Sequence, residues 1–206
     1  MADSQKKTTE FRKEIYKVIG KTSNPLAAFV ARPAINLENQ LNHEEIILLL
    51  RKHPITQVKW FFIGLIMLLA PTTLSFFPLL EFLPTRFQLI VVLIWYLMTL
   101  AFALEKFLSW YFNVYIITDE RVIDVDFYNL LYKEISDAEI ENIEDVTLTQ
   151  GGVMQNIFNY GMVQIQTAAE RPEFEFEDVP NPALVVKVLK KMQLEEKQEI
   201  LEGRIN

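Results

Sequence analysis

Hydrophobic and polar positions alternate in three different textures along this chain, and the middle one constrains it most. Residues 60–80 and 87–104 are two uncharged apolar runs separated by six residues. As a helix the first run spans about 31 Å, the thickness of a bilayer hydrocarbon core of about 30 Å. The second continues through Glu105 and Lys106 to Phe112, with that charged pair near the head groups, where charge is tolerated. Leu, Ile, Phe, Trp and Met face every direction in both runs, and a domain this small has little room to bury two such helices. Both runs start far from the N-terminus, after a long polar segment, unlike a cleavable signal sequence. The predicted unit is a transmembrane helical hairpin over residues 59–112, turned at residues 81–86, where Pro84 cannot continue the first helix.

From residue 113 the apolar positions come in short runs rich in Val, Ile, Tyr and Phe, bounded by charged or turn residues. Residues 114–118, 121–128, 131–136, 144–149, 162–167 and 173–177 are predicted strands of an antiparallel meander. In 162–166 and 174–177 polar and apolar residues alternate, as where one sheet face meets a core and the other meets water. Gly151-Gly152 interrupts the pattern, and a short helix is expected within residues 153–160 before Gly161 turns the chain. A closing helix starts with Asn181 as cap and Pro182 in the first helical position, and Leu184, Val185, Val188, Leu189 and Met192 form one apolar face to lay on the sheet. Residues 113–194 thus read as one domain, followed by a polar tail over 195–206.

The N-terminal arm, residues 1–58, has a third texture. Phe11, Ile15, Val18 and Ile19 share one helical face, among Arg12, Lys13, Lys17 and Lys21. Such a helix suits an anionic inner leaflet, and equally suits docking on an acidic domain. Residues 23–42, with Pro25 and Pro33, read as a connector. A second helix is expected to begin at Asn42, with Glu45 completing a capping box, and to end before His53-Pro54.

Charge refines this picture. The net charge of -7 divides into +4 over residues 1–59, zero over 60–112 and -11 over 113–206. Arg51, Lys52 and Lys59 flank the first span against Arg86 alone in the turn, so both termini are expected in the cytoplasm. The absence of cysteine agrees with a reducing compartment. A domain at -11 lacks the Lys and Arg clusters that bind nucleic acid.

Candidate chemistry is sparse. Two histidines, His43 and His53, and no cysteine leave no ordinary zinc ligand set. Gly151-Gly152 lacks the lysine and following helix of a phosphate cradle and reads as a turn. Asp137, Glu139, Glu141, Glu144 and Asp145 lack the ligand spacing and glycine of a calcium loop and read as a solvated sheet edge. No catalytic, cofactor-binding or metal residue is assigned. Pro71, Thr72, Thr73, Ser75 and Pro78 in the first span line a pathway or satisfy a bent anchor, and the second span adds only Gln88, Tyr96 and Thr99.

The stretch from Tyr115 through Thr118, Arg121 and Ile123, the residues 140–146, Gln150-Gly151, the turn Ile157-Phe158-Asn159-Tyr160-Gly161 and Val179-Pro-Asn-Pro182 together resemble the bacterial pleckstrin-homology-like (PH-like) domain. The order of elements is similar to small prokaryotic membrane proteins in which that domain follows a two-helix hairpin, over residues 42–192. The resemblance implies a split antiparallel barrel closed by a C-terminal helix on the cytoplasmic side, with no catalytic residue. Eukaryotic PH domains bind phosphoinositides through basic residues between their first two strands; here Asp124, Asp126 and one Lys133 stand there, which speaks against that ligand.

The fold class expected is an α+β membrane protein: a two-helix transmembrane hairpin plus a PH-like split antiparallel β-barrel capped by a C-terminal helix. The expected function is a membrane-anchored, non-enzymatic binding or scaffold module in the cell membrane, presenting the domain to a protein or lipid partner or to further copies of itself. The alternative is an oligomeric pore or transporter accessory subunit. Val153, Met154, Ile157 and Phe158 are the candidate partner or membrane contacts; the other reading is that they plug the barrel.

Overall fold

The computed structural model describes residues 27–31, 44–73, 84–129, 132–168 and 171–201. In chain order the elements are β1 (Phe29–Ala31), β2 (Ile46–Leu50), α1 (Val58–Thr73), α2 (Thr85–Phe112), β3 (Val114–Thr118), β4 (Arg121–Asn129), β5 (Tyr132–Glu139), β6 (Ile143–Thr149), α3 (Val153–Phe158), β7 (Tyr160–Thr167), β8 (Glu173–Pro180) and α4 (Pro182–Leu201). The strands form two antiparallel sheets, β1-β2-β3-β4-β5 and β6-β7-β8.

The first sheet begins upstream of the apolar helices. Leu49 pairs with Ile116 and Leu50 with Tyr115, so α1 and α2 are spliced between two neighbouring strands and leave the sheet from one end. This corrects the expected second helix of the arm, because residues 46–50 are strand β2. Five consecutive apolar residues, Ile46 to Leu50, are all buried, on both faces of the sheet. A strand covered on both faces has no alternation, and its continuous apolar run cannot be told from a buried helix by periodicity. The sheet domain therefore includes β1 and β2, and does not start at residue 113. The candidate helix over residues 11–21, the connector and His43 lie outside the described residues.

The barrel is split and not closed. A 3-10 turn, Ile140–Asn142, carries the chain from β5 to β6, and no ladder joins those strands. The gap is bridged by side chains: the main core gathers Leu48, Leu50, Ile117 and Val122 from the first sheet, Val146, Ile165, Phe174 and Phe176 from the second, and Val185, Val188, Leu189 and Met192 from α4. Those four α4 residues are four of the five in the predicted apolar face; the fifth, Leu184, is only partly buried. Gln193 of α4 also donates to the Ile143 carbonyl, which fixes the helix across the sheet.

The first sheet has a second apolar face, turned away from this core, where Val30, Ile46, Leu49, Ile116 and Ile123 form a separate buried cluster.

Helix α1 follows a 3-10 turn, Pro54–Gln57, whose preceding residue His53 accepts from the Ile55 amide through Nδ1 at 3.2 Å. The segments Pro54–Thr73 and Thr85–Phe112 are long and apolar enough to cross a bilayer, and the first is not buried at all. Phe61, Ile66, Leu89 and Leu100 are each about 60 % exposed or more, which is not how helices in a soluble core behave. The helices contact one another, with Trp95 Nε1 donating to the Met67 carbonyl at 2.7 Å. Residues 74–83, the end of the first apolar run and the first half of the turn, lie outside the described residues; Pro84 caps α2.

Candidate functional site

The root of the hairpin is where the most unusual side chains meet. Arg51, directly after β2, is 5 % exposed; its Nε donates to the Tyr111 carbonyl at 2.9 Å and its Nη1 to the Ala27 carbonyl at 3.3 Å. Its guanidinium lies 4.7 Å from the centre of the Tyr111 ring. Desolvation lowers its pKa from the ordinary arginine value, opposed by Tyr111. Next, Lys52 pairs with Glu177 on β8, and its carbonyl accepts from Trp110 Nε1 at 2.8 Å. The His53 amide donates to the Asp178 carbonyl at 2.8 Å, and its ring stacks on Tyr160 with centroids 5.2 Å apart. Burial lowers the His53 pKa, with Asp178 opposing. Three successive residues thus fasten the start of α1 to the end of α2 and to the second sheet.

Beside this root a cleft of about 480 Å³ separates the end of α2 from the two sheets. It is lined by Ser109 and Asn113 of the α2 end, Asp124 and Asp126 of β4, and the outward row Glu173, Glu175 and Glu177 of β8, with Lys52 and Arg171 as cations. Five carboxylates against two cations give the lining a formal charge of -3 when all are ionised. Asp124 is 3 % exposed; its carboxylate faces Arg171 at 3.6 Å, and Oδ1 has no hydrogen-bond partner. Burial pushes its pKa up to about 7, helped by Asp126 and opposed by Arg171 and Lys52. Asp126 is shifted upward too, again first by burial. Among the described residues no group of three or more metal-ligating side chains is placed to hold an ion. The cleft suits a small positive charge or a proton on Asp124.

Helix α3 stands next to the same root. Gly152 at φ 98 opens it, Gln155 accepts from the Gly151 amide at 2.7 Å, and Asn159 at φ 50 closes it with its side chain bonded to Asn181. The next residue is Tyr160, the partner of His53. Gly161 is dictated by packing, since a Cβ there would sit 2.9 Å from the Thr149 carbonyl oxygen and 3.3 Å from Pro182. The four candidate contacts are thereby brought together and turned outward: Val153 is 73 %, Met154 52 %, Ile157 67 % and Phe158 40 % exposed. They are not a plug, because none belongs to either buried cluster.

Sequence reasoning missed the cleft. Asp124 and Asp126 fall within the strand expected over 121–128, but the likeness to eukaryotic PH domains counted them in the loop between the first two strands; both are ladder residues of β4, opposite Ser136 and Glu134 of β5. The Asp-Val-Asp alternation was the available signal, two carboxylates on one strand face. Asp137 of the acidic run pairs with Arg121 at 2.9 Å, and Arg121 also holds the buried Glu44 through two bonds of 3.0 and 3.1 Å.

An antiparallel five-stranded sheet set against a three-stranded one, with a C-terminal helix over the core, is the architecture of a PH-like domain. The bacterial PH domain family matches residues 54–193, and the chain belongs to that family. The match includes the apolar hairpin but starts after β1 and β2, which complete the sheet. No curated protein and no solved structure matches the chain.

Proposed function

We propose that this protein is a membrane-anchored, non-enzymatic binding module. The hairpin α1–α2 crosses the cytoplasmic membrane with both chain ends inside, and the PH-like domain is held against the inner face. The observation that carries this reading is the splice of the apolar hairpin between β2 and β3. Both helices leave one end of one sheet, and Arg51, Lys52 and His53 brace them, so the domain has a fixed seat at the membrane surface. In that seat α3 lies at the level of the first residues of α1, and its exposed Val153, Met154, Ile157 and Phe158 dip into the head-group region. The site then recognises the lipid interface through α3, and the acidic cleft beside it selects positively charged groups that reach the same surface.

Hydroxyls within the helices favour an anchor over a conduit. Thr72, Thr73 and Thr99 each donate to a carbonyl of their own helix, at 2.6, 2.7 and 2.9 Å, and are spent on backbone satisfaction.

The chain has no cysteine, so a single Ile157→Cys variant carrying an environment-sensitive fluorophore reports on α3 alone. In vesicles, blue-shifted emission that brominated lipids quench is the expected result. Emission of a fully aqueous probe, unquenched by those lipids, would overturn the interfacial seat and leave α3 to a protein partner.

A further inference from the structure

The second apolar face of the first sheet has no cover among the described residues. Val30, Leu49, Ile116 and Ile123 pair in one row across four strands. With Ile46 they are only 4–7 % exposed, whereas Ile135, on the same face of β5, is 57 % exposed. Every described member of the cluster, including the partly buried Ala27, Val114 and Val125, belongs to β1–β4 or to the residues leading into β1. A sheet face does not bury itself; it takes a second layer to exclude water. That layer spans β1 to β4 and stops short of β5.

We propose that residues 1–26 supply it, as an amphipathic helix laid across the outer face of the sheet with Phe11, Ile15, Val18 and Ile19 against Val30, Leu49, Ile116 and Ile123. At about 100° per residue these four side chains fall within one stripe. Along a helix they extend about 12 Å, and four strands spaced about 4.8 Å apart extend about 14 Å. The segment joins the sheet at Ala27, itself a member of the cluster, whose carbonyl accepts from the buried Arg51. Charge is complementary: residues 1–26 carry six Lys or Arg and three Asp or Glu, against eight and 19 in residues 113–206. Residues 32–43 fit less well, because Ile35, Leu37 and Leu41 do not share one helical face. A helix docked this way spends its apolar face on the domain and cannot lie on the leaflet with it.

The test is photocrosslinking of the full chain in vesicles, with benzoylphenylalanine replacing Phe11 or Ile15, and peptide mapping of the adducts. Adducts within residues 46–50 and 114–125 of the same chain are expected. Adducts on lipid, on residues 32–43, or on a second copy distinguished by isotope labelling would each overturn the proposal. A second measurement reads the cover itself: the thiol of Ile123→Cys should react with maleimide about tenfold faster when Ile15→Asp and Val18→Asp are added. An unchanged rate would assign the cover to another segment.

Discussion

Asp124 shows how one residue records a choice made by the whole domain. Its carboxyl sits 3 % exposed in the cleft, and burial raises its pKa from 3.8 to about 7. The folded state therefore holds a proton that the unfolded chain has lost, and stability falls as pH rises from about 4 to about 7, then levels off. Charging this group costs the fold up to roughly 4 kcal/mol above pH 7. Asp124→Asn is expected to unfold at higher temperature than the parent at pH 8, and at a similar temperature at pH 4, in melts followed by circular dichroism across that range. Arg121 is the opposite case, a cation whose loss strands a charge. It holds Glu44, which is 3 % exposed, in a paired geometry, so Arg121→Ala should destabilise by about 3 kcal/mol or more. Arg121→Ala combined with Glu44→Gln should recover part of that loss in denaturant titrations. Gly161→Ala drives a methyl to 2.9 Å from a backbone oxygen and is expected to cost about 1–3 kcal/mol by the same measurement.

At the scale of elements, the sequence was most legible where a period or a turn residue marked it. The paired alternation in β7 and β8, the Asn181-Pro182 start of α4 and the glycine-bounded α3 are all present where the pattern put them. Strand β2 was not legible, because burial on both faces erased the period that separates strand from helix. Helix α3 was legible as a helix but ambiguous as a site, since four apolar side chains in six residues serve a plug or a contact equally. Exposure removes the plug. Because these side chains are outside the core, Ile157→Asp with Phe158→Asp should change unfolding stability by less than about 0.5 kcal/mol. In vesicles the same pair should abolish bromolipid quenching of a fluorophore at Val153→Cys; full retention of quenching would show that α3 does not depend on these two side chains for membrane contact.

For the whole molecule, the order of the chain and the order of the sheet differ. Leu50 and Tyr115 are ladder partners separated by the entire hairpin, so a domain cut at residue 113 lacks two of its five first-sheet strands. Residues 113–201 alone are expected to aggregate. A chain in which residues 27–50 run into residues 114–201 through a two-residue hairpin turn is expected to give a dispersed, cooperatively unfolding protein. Size-exclusion chromatography and thermal melts of the two chains decide whether the hairpin is an insertion into one domain. The acidic cleft belongs to this scale too, since its wall residues come from the end of α2, β4 and β8 and meet only after the two sheets close on the core.

The sequence by itself determined the two apolar helices, the run of short strands from residue 114, the closing amphipathic helix and the charge division between arm and domain. These are properties of local composition and period, set by how each segment meets water or lipid. Tertiary structure alone decided that β2 joins β3 across the hairpin, that the barrel stays split at β5 and β6, and that five carboxylates share one cleft beside the root of the hairpin. Each of those outcomes is a long-range pairing, and its energy comes from burial and partners supplied by distant segments that leave no periodic mark on the residues that receive them.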